Sequence, residues 1–257
     1  MDGPEAINNA SRHPIDGGNC FLSVNYNINQ LKKKNIPFAI VAVLDRRIID
    51  FNLSLSDLAV FLSSYTPVYK IDPGYMLIQS ADTIKKLLKE TELFVDFVFE
   101  NIKTLEQSKF IYENNVLRTI TNAINNIEKT HVCSAADHIA IFSNNSAYSC
   151  YNLLTAEYKI CDDLSVIDMN ALDEKLKEHK EKLLINKFPK EYYKIKFFGD
   201  YCPKENNFSS FAYQYRKVMT ESILKNLNNI SPGSIEHMGL LGYIKTAFSK
   251  KFFKTFI

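Results

Sequence analysis

Tryptophan is absent from this 257-residue chain, and glycine and proline are scarce at eight each. So few glycines leave neither a G-x-G-x-x-G run nor a Walker-type loop. The close pairs, Gly17-Gly18 and Gly239 with Gly242, do not join a strand to a helix, which argues against a nucleotide-binding Rossmann enzyme. No apolar run reaches the roughly 18–20 residues that a bilayer span needs. An excess of one charge is missing too: 31 basic residues face 29 acidic ones. The net charge of +2 is too small to imply a nucleic-acid partner, so no sequence-specific nucleic-acid contact is expected. Met1 to Gly18 has no basic start and no apolar stretch, so it is not read as a secretory signal. The five cysteines are odd in number and lack framework spacing. That favours free thiols in a reducing, intracellular compartment, nucleus or cytoplasm.

What is present is ordinary for a globular protein, with 46% hydrophobic residues and 23% charged. The organising stretch is Phe38-Ala39-Ile40-Val41-Ala42-Val43-Leu44-Asp45. A continuous apolar run of strand length suits a strand covered on both faces. Ile139-Ala140-Ile141-Phe142 is a second. The two are expected to be neighbouring central strands, with Val41 and Ile141 fully buried.

Around them the chain divides into a flexible N-terminal arm (1–19), an α/β core (20–169), a charged helix, edge strand and helix (170–230), and a basic amphipathic tail (231–257). Residues 20–28 suit an edge strand or the start of a helix. Arg46-Arg47 reads as a strand exit, with 48–51 continuing extended. Ser54 or Ser56 can cap a helix to about Ser64. Val68 to Ile71 and Tyr75 to Ile78 read as strands about the Asp72-Pro73-Gly74 turn. Asp82 or Ser80 opens a long helix, Asn114-Asn115 break the chain, and Val116 to Ile127 form another amphipathic helix. A helix near 147–158, a strand at 164–167, a solvated helix within 170–187, an edge strand at 192–198 and a helix from Ser209 to Asn228 follow. Pro232-Gly233 stop the last of these.

No catalytic signature emerges, and no catalytic, cofactor-binding or metal-ligating residue is assigned. His131, Cys133 and His138 are close together but lack the paired ligands of a structural zinc site. Nothing places Cys202 beside His179 or His237. Open α/β sheets bind ligands at the carboxyl ends of their strands, which makes Asp45, Asp50, Asp72 and Asp168 worth noting. Turn and helix-cap roles are the more frequent use of such aspartates.

From Phe38 to Met169 the order of elements resembles a von Willebrand factor A-type domain. "FAIVAVL" is followed by "GYMLIQSADTIKKLL", "NNVLRTITNAINNIEKT", "DHIAIFSNN" and "YKICDDLSVIDM". The pattern is similar to the von Willebrand-type subunits of the transcription and repair factor TFIIH, the smaller one in particular. The metal motif of that class has no counterpart, because Asp50 to Ser56 is spaced differently. The zinc module has none either, since only Cys202 follows Met169. The resemblance implies an α/β, three-layer, Rossmann-like domain with a central, mostly parallel sheet and a C-terminal helical extension. It implies a non-enzymatic scaffold in a multiprotein complex, TFIIH-like in transcription and nucleotide excision repair, whose partners are other subunits. The order at 38–105 also resembles a longin or roadblock-like trafficking unit.

The tail is the most distinctive segment. Leu241, Ile244, Phe248 and Phe252 fall near helical spacing, and Lys245 and Lys251 supply charge. A helix of this type can dock on its own core, fill a partner's groove or lie on an anionic membrane.

Overall fold

The computed structural model describes residues 1–10, 12–14, 17–66, 68–74, 80–131, 139–150, 154–184, 190–198 and 210–249. Two helical segments open it, α1 (Glu5–Asn9) and α2 (Cys20–Lys33). The Asn19 side chain caps α2 by accepting from the Leu22 amide, which settles 20–28 as helix. Strand β1 (Ile40–Leu44) follows, and Asp45 then turns the chain directly into a single helical turn, α3 (Arg47–Asp50). The extended continuation expected at 48–51 is therefore corrected. The Asp45 carboxylate accepts from the Arg47 backbone amide at 2.9 Å, a local bond that competes with extension. Helix α4 (Leu55–Ser63) starts at Ser54, whose side chain accepts from the Asp57 amide.

Strand β2 (Tyr69–Pro73) pairs with β1 in parallel, with Ile40 opposite Tyr69 and Leu44 opposite Pro73. Helix α5 (Ala81–Lys103) buries Leu87, Thr91, Phe94, Val95, Val98, Phe99 and Ile102 as a continuous stripe. The chain then runs back alongside β2, where a parallel bridge joins Tyr69 to Glu113, and enters α6 (Asn114–Ile124). Two successive β-α-β passes thus place three parallel segments side by side, with β2 in the middle.

A separate antiparallel sheet is formed by β3 (Ala140–Ile141), β4 (Ala147–Tyr148) and β5 (Lys159–Cys161). It packs with α7 (Met169–Lys182) over a small core of Ala147, Ile160 and Leu172, apart from the main one. Helices α8 (Phe211–Asn228) and α9 (Ile235–Ser249) complete the chain, and both pack on α5. Gly239 lets α9 approach closely, since a Cβ there would sit 2.3 Å from the Ile102 carbonyl oxygen.

The three-layer expectation fails here. Burial alternates along β1: Ile40, Ala42 and Leu44 are buried, but Val41 is 52% exposed. Ile141, 58% exposed, belongs to the other sheet. A continuous apolar run fixes strand formation, but it does not say whether a second layer covers the outer face. The expected helix at 147–158 is instead β4 and a 3-10 turn at Ala156–Tyr158. The expected strands at 164–167 and 192–198 contain 3-10 turns at Leu164–Val166 and Lys190–Ile195. The returning strand at Tyr75–Ile78 lies outside the described residues. None of the helices among the described residues is long and apolar enough to cross a membrane.

Candidate functional site at the carboxyl ends of the strands

Parallel β-α units leave their ligand-binding surface at the carboxyl ends of the strands, where successive loops diverge. At the end of β1 stand Asp45 and Arg47, 0% and 7% exposed. The Arg47 guanidinium donates from Nη2 to Asp45 Oδ2 at 2.6 Å and from Nε to Oδ1 at 2.8 Å. Its Nη1 donates to the Ile7 carbonyl at 3.1 Å and lies 3.5 Å from Asp2 Oδ2. Asp2 is itself buried, accepts two bonds from Arg12, and receives the Val43 amide at 3.3 Å. Burial opposes the Arg47 charge, but Asp45 and Asp2 more than offset it, and the guanidinium titrates above its ordinary range. Burial likewise pushes the Asp2 carboxyl up, yet the bonds from Arg12 hold it below the usual carboxylate range. Two carboxylates and two guanidiniums interlock, so this end is closed.

The ends of β2 and of the 110–113 segment differ. Asp72 pairs with Lys70 at 2.9 Å, and both side chains remain more than a quarter exposed. Gly74 follows; its amide donates to the Leu44 carbonyl at 2.7 Å, and a Cβ there would lie 2.8 Å from Val43 Cγ1. Glu113 is fully buried. Its Oε1 accepts from the Ile71 amide at 2.9 Å and its Oε2 from the Val116 amide at 2.8 Å, so one carboxylate joins β2 and caps α6. Desolvation raises its pKa to about 7 despite the two amides that favour the charged form. Tyr69, Tyr215 and Tyr243 share this environment, and burial, with a contribution from Glu113, pushes each phenol well up. Tyr215 and Tyr243 donate to the Ile71 and Ile111 carbonyls, while the Tyr69 hydroxyl has no hydrogen-bond partner among the described residues.

Asn115, 0% exposed, is the most informative of these residues. Its Nδ2 donates to the Ile71 carbonyl at 3.0 Å and lies 3.5 Å from Asp72 Oδ1. Flipping the amide would set two oxygens against each other, so the orientation is forced. Oδ1 is then left without a partner among the described residues. Buried acceptors of this kind are rare and mark a place for a donor from water or ligand. One turn along α6, Arg118 lies 5.8 Å from the centre of the Phe198 ring, and Arg216 of α8 lies 5.6 Å from it. Both oxygens of Glu113 are engaged, so it positions its neighbours and is not a free base. Among the described residues at this edge, the buried Asn115 Oδ1 and the partly exposed Asp72 are the acceptors with capacity left for an N–H or O–H donor.

Of the aspartates noted in sequence, Asp45 and Asp72 meet at this edge. Asp168 caps α7 and Asp50 pairs with Arg46. Glu113 and Asn115 escaped sequence reading because Asn114-Asn115 resembled a break. The available signal was the strand-length run Phe110-Ile111-Tyr112 followed by an acidic cap. Of the tail residues, Leu241 is 52% and Phe248 37% exposed, Lys245 is exposed, and Ile244 packs against the core. Lys251 and Phe252 lie outside the described residues, as do Cys133, His138 and Cys202. The helix itself docks through Leu240, Tyr243 and Ala247, with the Tyr243 ring stacked 5.0 Å from Tyr112. His179 is buried against Tyr158, while His237 Nδ1 accepts from the Gly233 amide. These two histidines therefore occupy unrelated places.

No family model and no curated protein sequence matches the chain. Solved structures do. A polyhistidine-tagged "anSMEcpe with bound AdoMet" aligns with TM-score 0.65 at 15% identity, covering 95% of this chain and 68% of that one. "Native anSMEcpe with bound AdoMet and Cp18Cys peptide" aligns with TM-score 0.60 at 16% identity, covering 90% of this chain and 69% of that one. These are structures of an anaerobic sulfatase-maturating radical SAM enzyme. At such identity the likeness is one of fold. It overturns the von Willebrand factor A resemblance and, with it, the TFIIH, transcription and repair reading. The non-enzymatic scaffold reading and its longin-like trafficking or membrane-adaptor alternative rested on resemblances to other folds, and they fall with them.

Radical chemistry with AdoMet draws on an iron–sulfur cluster, and such clusters are held by cysteine thiolates, commonly in tight runs such as C-x2-C-x2-C. The cysteines here are Cys20, Cys133, Cys150, Cys161 and Cys202, and even the nearest two have ten residues between them. Among the described residues no three His, Cys, Asp or Glu side chains are grouped as metal ligands. Neither the spacing of the cysteines in the sequence nor the described residues fit the cluster.

Proposed function

We propose that the chain is an AdoMet-binding enzyme that holds the nucleoside at the carboxyl ends of β2 and the 110–113 segment, beside the closed end of β1, and acts there on a peptide. The single observation that carries this reading is Asn115 Oδ1, fixed in orientation and without a partner among the described residues, beside Asp72 on a fold shared with AdoMet-bound enzymes. AdoMet brings an ammonium, two ribose hydroxyls and an adenine amine, all donors that suit such acceptors. The peptide follows from neighbours whose structures hold AdoMet and a peptide together.

The chain's own residues bind and orient. Asn115 accepts a ligand N–H or O–H, and Asp72 accepts beside it while Lys70 moderates its charge. Glu113 and Tyr215 hold the β2 end from behind. Isothermal titration calorimetry with AdoMet tests the reading. A net hydrogen bond is worth about 1 kcal/mol, so Asn115→Ala is expected to weaken binding roughly fivefold to tenfold. The Ile71 carbonyl keeps its bond from Tyr215 in that variant, so the melting temperature reports whether the fold survives. Absence of heat and of thermal stabilisation at saturating AdoMet would sink the proposal.

A further inference from the structure

We infer that this site binds AdoMet without an iron–sulfur cluster and leaves it uncleaved by one-electron reduction, the carboxyl end of β1 being filled by an ion-paired plug of protein side chains. The inference rests on the proposed AdoMet site and concerns what happens to the ligand there.

Two independent observations support it. The first is the dispersion of the thiols. Cys20 opens α2, Cys150 follows β4 and Cys161 ends β5, so the three described cysteines stand on separate elements, two of them with the small antiparallel sheet. Bringing three thiolates to one point would require rebuilding the packing between these elements. Cys133 and Cys202 are separated from each other by 68 intervening residues and do not form a run.

The second is the chemistry at the end of β1. Asp2 and Asp45 stand there, and each is already bound by a guanidinium. The four oxygens of Asp2 and Asp45 together receive bonds from Arg12, Arg47 and the amides of Val43 and Arg47. A carboxylate held this way, with its charge matched by a buried arginine, is not available to a metal. A strand end that in a parallel β-α fold serves ligands has here been closed by charge pairing.

Cleaving the sulfonium C–S bond homolytically requires an electron delivered at the sulfur. Without a cluster no group among the described residues delivers it, so on this inference bound AdoMet is retained intact or consumed only by polar chemistry. Affinity then comes from Asn115, Asp72 and their neighbours, and iron contributes nothing to it.

The test uses the full chain, reconstituted anaerobically with ferrous iron and sulfide, then desalted. Iron per chain, AdoMet affinity by calorimetry, and 5′-deoxyadenosine after dithionite are measured on treated and untreated protein. We expect iron at background, unchanged affinity and no 5′-deoxyadenosine. Stoichiometric iron that is lost in Cys133→Ala or Cys202→Ala protein would overturn the inference while leaving the AdoMet site standing, as would 5′-deoxyadenosine formed in step with the protein. Iron at background with no AdoMet binding in either sample would overturn it through the proposed function on which it rests. The iron measurement separates the two failures.

Discussion

The two neighbouring strand ends handle charge in opposite ways. At β1 the acids and bases are buried and mutually satisfied: Asp45 and Asp2 against Arg47 and Arg12. At β2 and the 110–113 segment the charge is less fully matched: Lys70 pairs with Asp72 near solvent, Glu113 is buried among phenols with no cation bonded to it among the described residues, and Asn115 has an acceptor without a partner among the described residues. Complete pairing produces a rigid wall. Incomplete pairing costs stability and leaves something for a ligand to complete. One end is thus structural, and the other is where the proposed function puts recognition.

The largest expected effect tests the wall. Arg47→Ala strips the partner from Asp45 and one partner from Asp2, leaving buried carboxylates uncompensated. Breaking a buried pair in this way costs about 3–5 kcal/mol. Chemical denaturation should show that loss, and a variant within about 1 kcal/mol of the parent would mean that the network at β1 is not closed.

The next effect concerns pH. The Glu113 carboxyl in the folded chain titrates at about 7, above its usual 4.5, because burial disfavours the anion. Folding then holds a proton that the unfolded chain releases. The contribution of Glu113 is fully present below about pH 4.5 and disappears as pH rises through about 7, a swing of roughly 3 kcal/mol. Glu113→Gln cannot ionise, so this part of the pH dependence should vanish. One backbone amide then faces an NH2 group, with a loss of about 1–3 kcal/mol at low pH. Denaturation midpoints of both proteins from about pH 4 to 8 check this, and parallel profiles would show that Glu113 does not titrate in the range.

The smallest effect sharpens the contrast. Lys70→Ala breaks a pair that solvent reaches, so stability should change by less than about 1 kcal/mol. AdoMet affinity should change all the same, because the Asp72 charge beside Asn115 is no longer moderated. A loss of stability comparable to that of Arg47→Ala would erase the distinction between the two ends.

Much of the local structure was legible in the sequence. The 38–45 run did contain a strand, Ser54 did cap α4, and Pro232-Gly233 did follow the end of α8. Those features rest on neighbours in the chain. The layer arrangement was not legible, because Val41 and Ala42 look alike as apolar residues and only tertiary packing leaves one in solvent. Asp45 and Asp72, noted in sequence but read there as turn or cap residues, lie at this edge of the sheet. Sequence reading missed Glu113 and Asn115, whose roles depend on β2, more than forty residues earlier in the chain. The fold likeness also lay beyond sequence pattern, since at 15% identity the shared backbone has lost its shared residues.

Asp2 has one more property. The 110–113 segment covers the far side of β2, so the edge of the three parallel segments is the outer side of β1. Val43 on that outer side donates its amide to Asp2. A bare amide there would be a template on which a strand from another molecule assembles. The acid that shapes the strand end thus also guards against intermolecular strand addition, and replacing Asp2 with alanine would open a rung through which the protein could begin to aggregate.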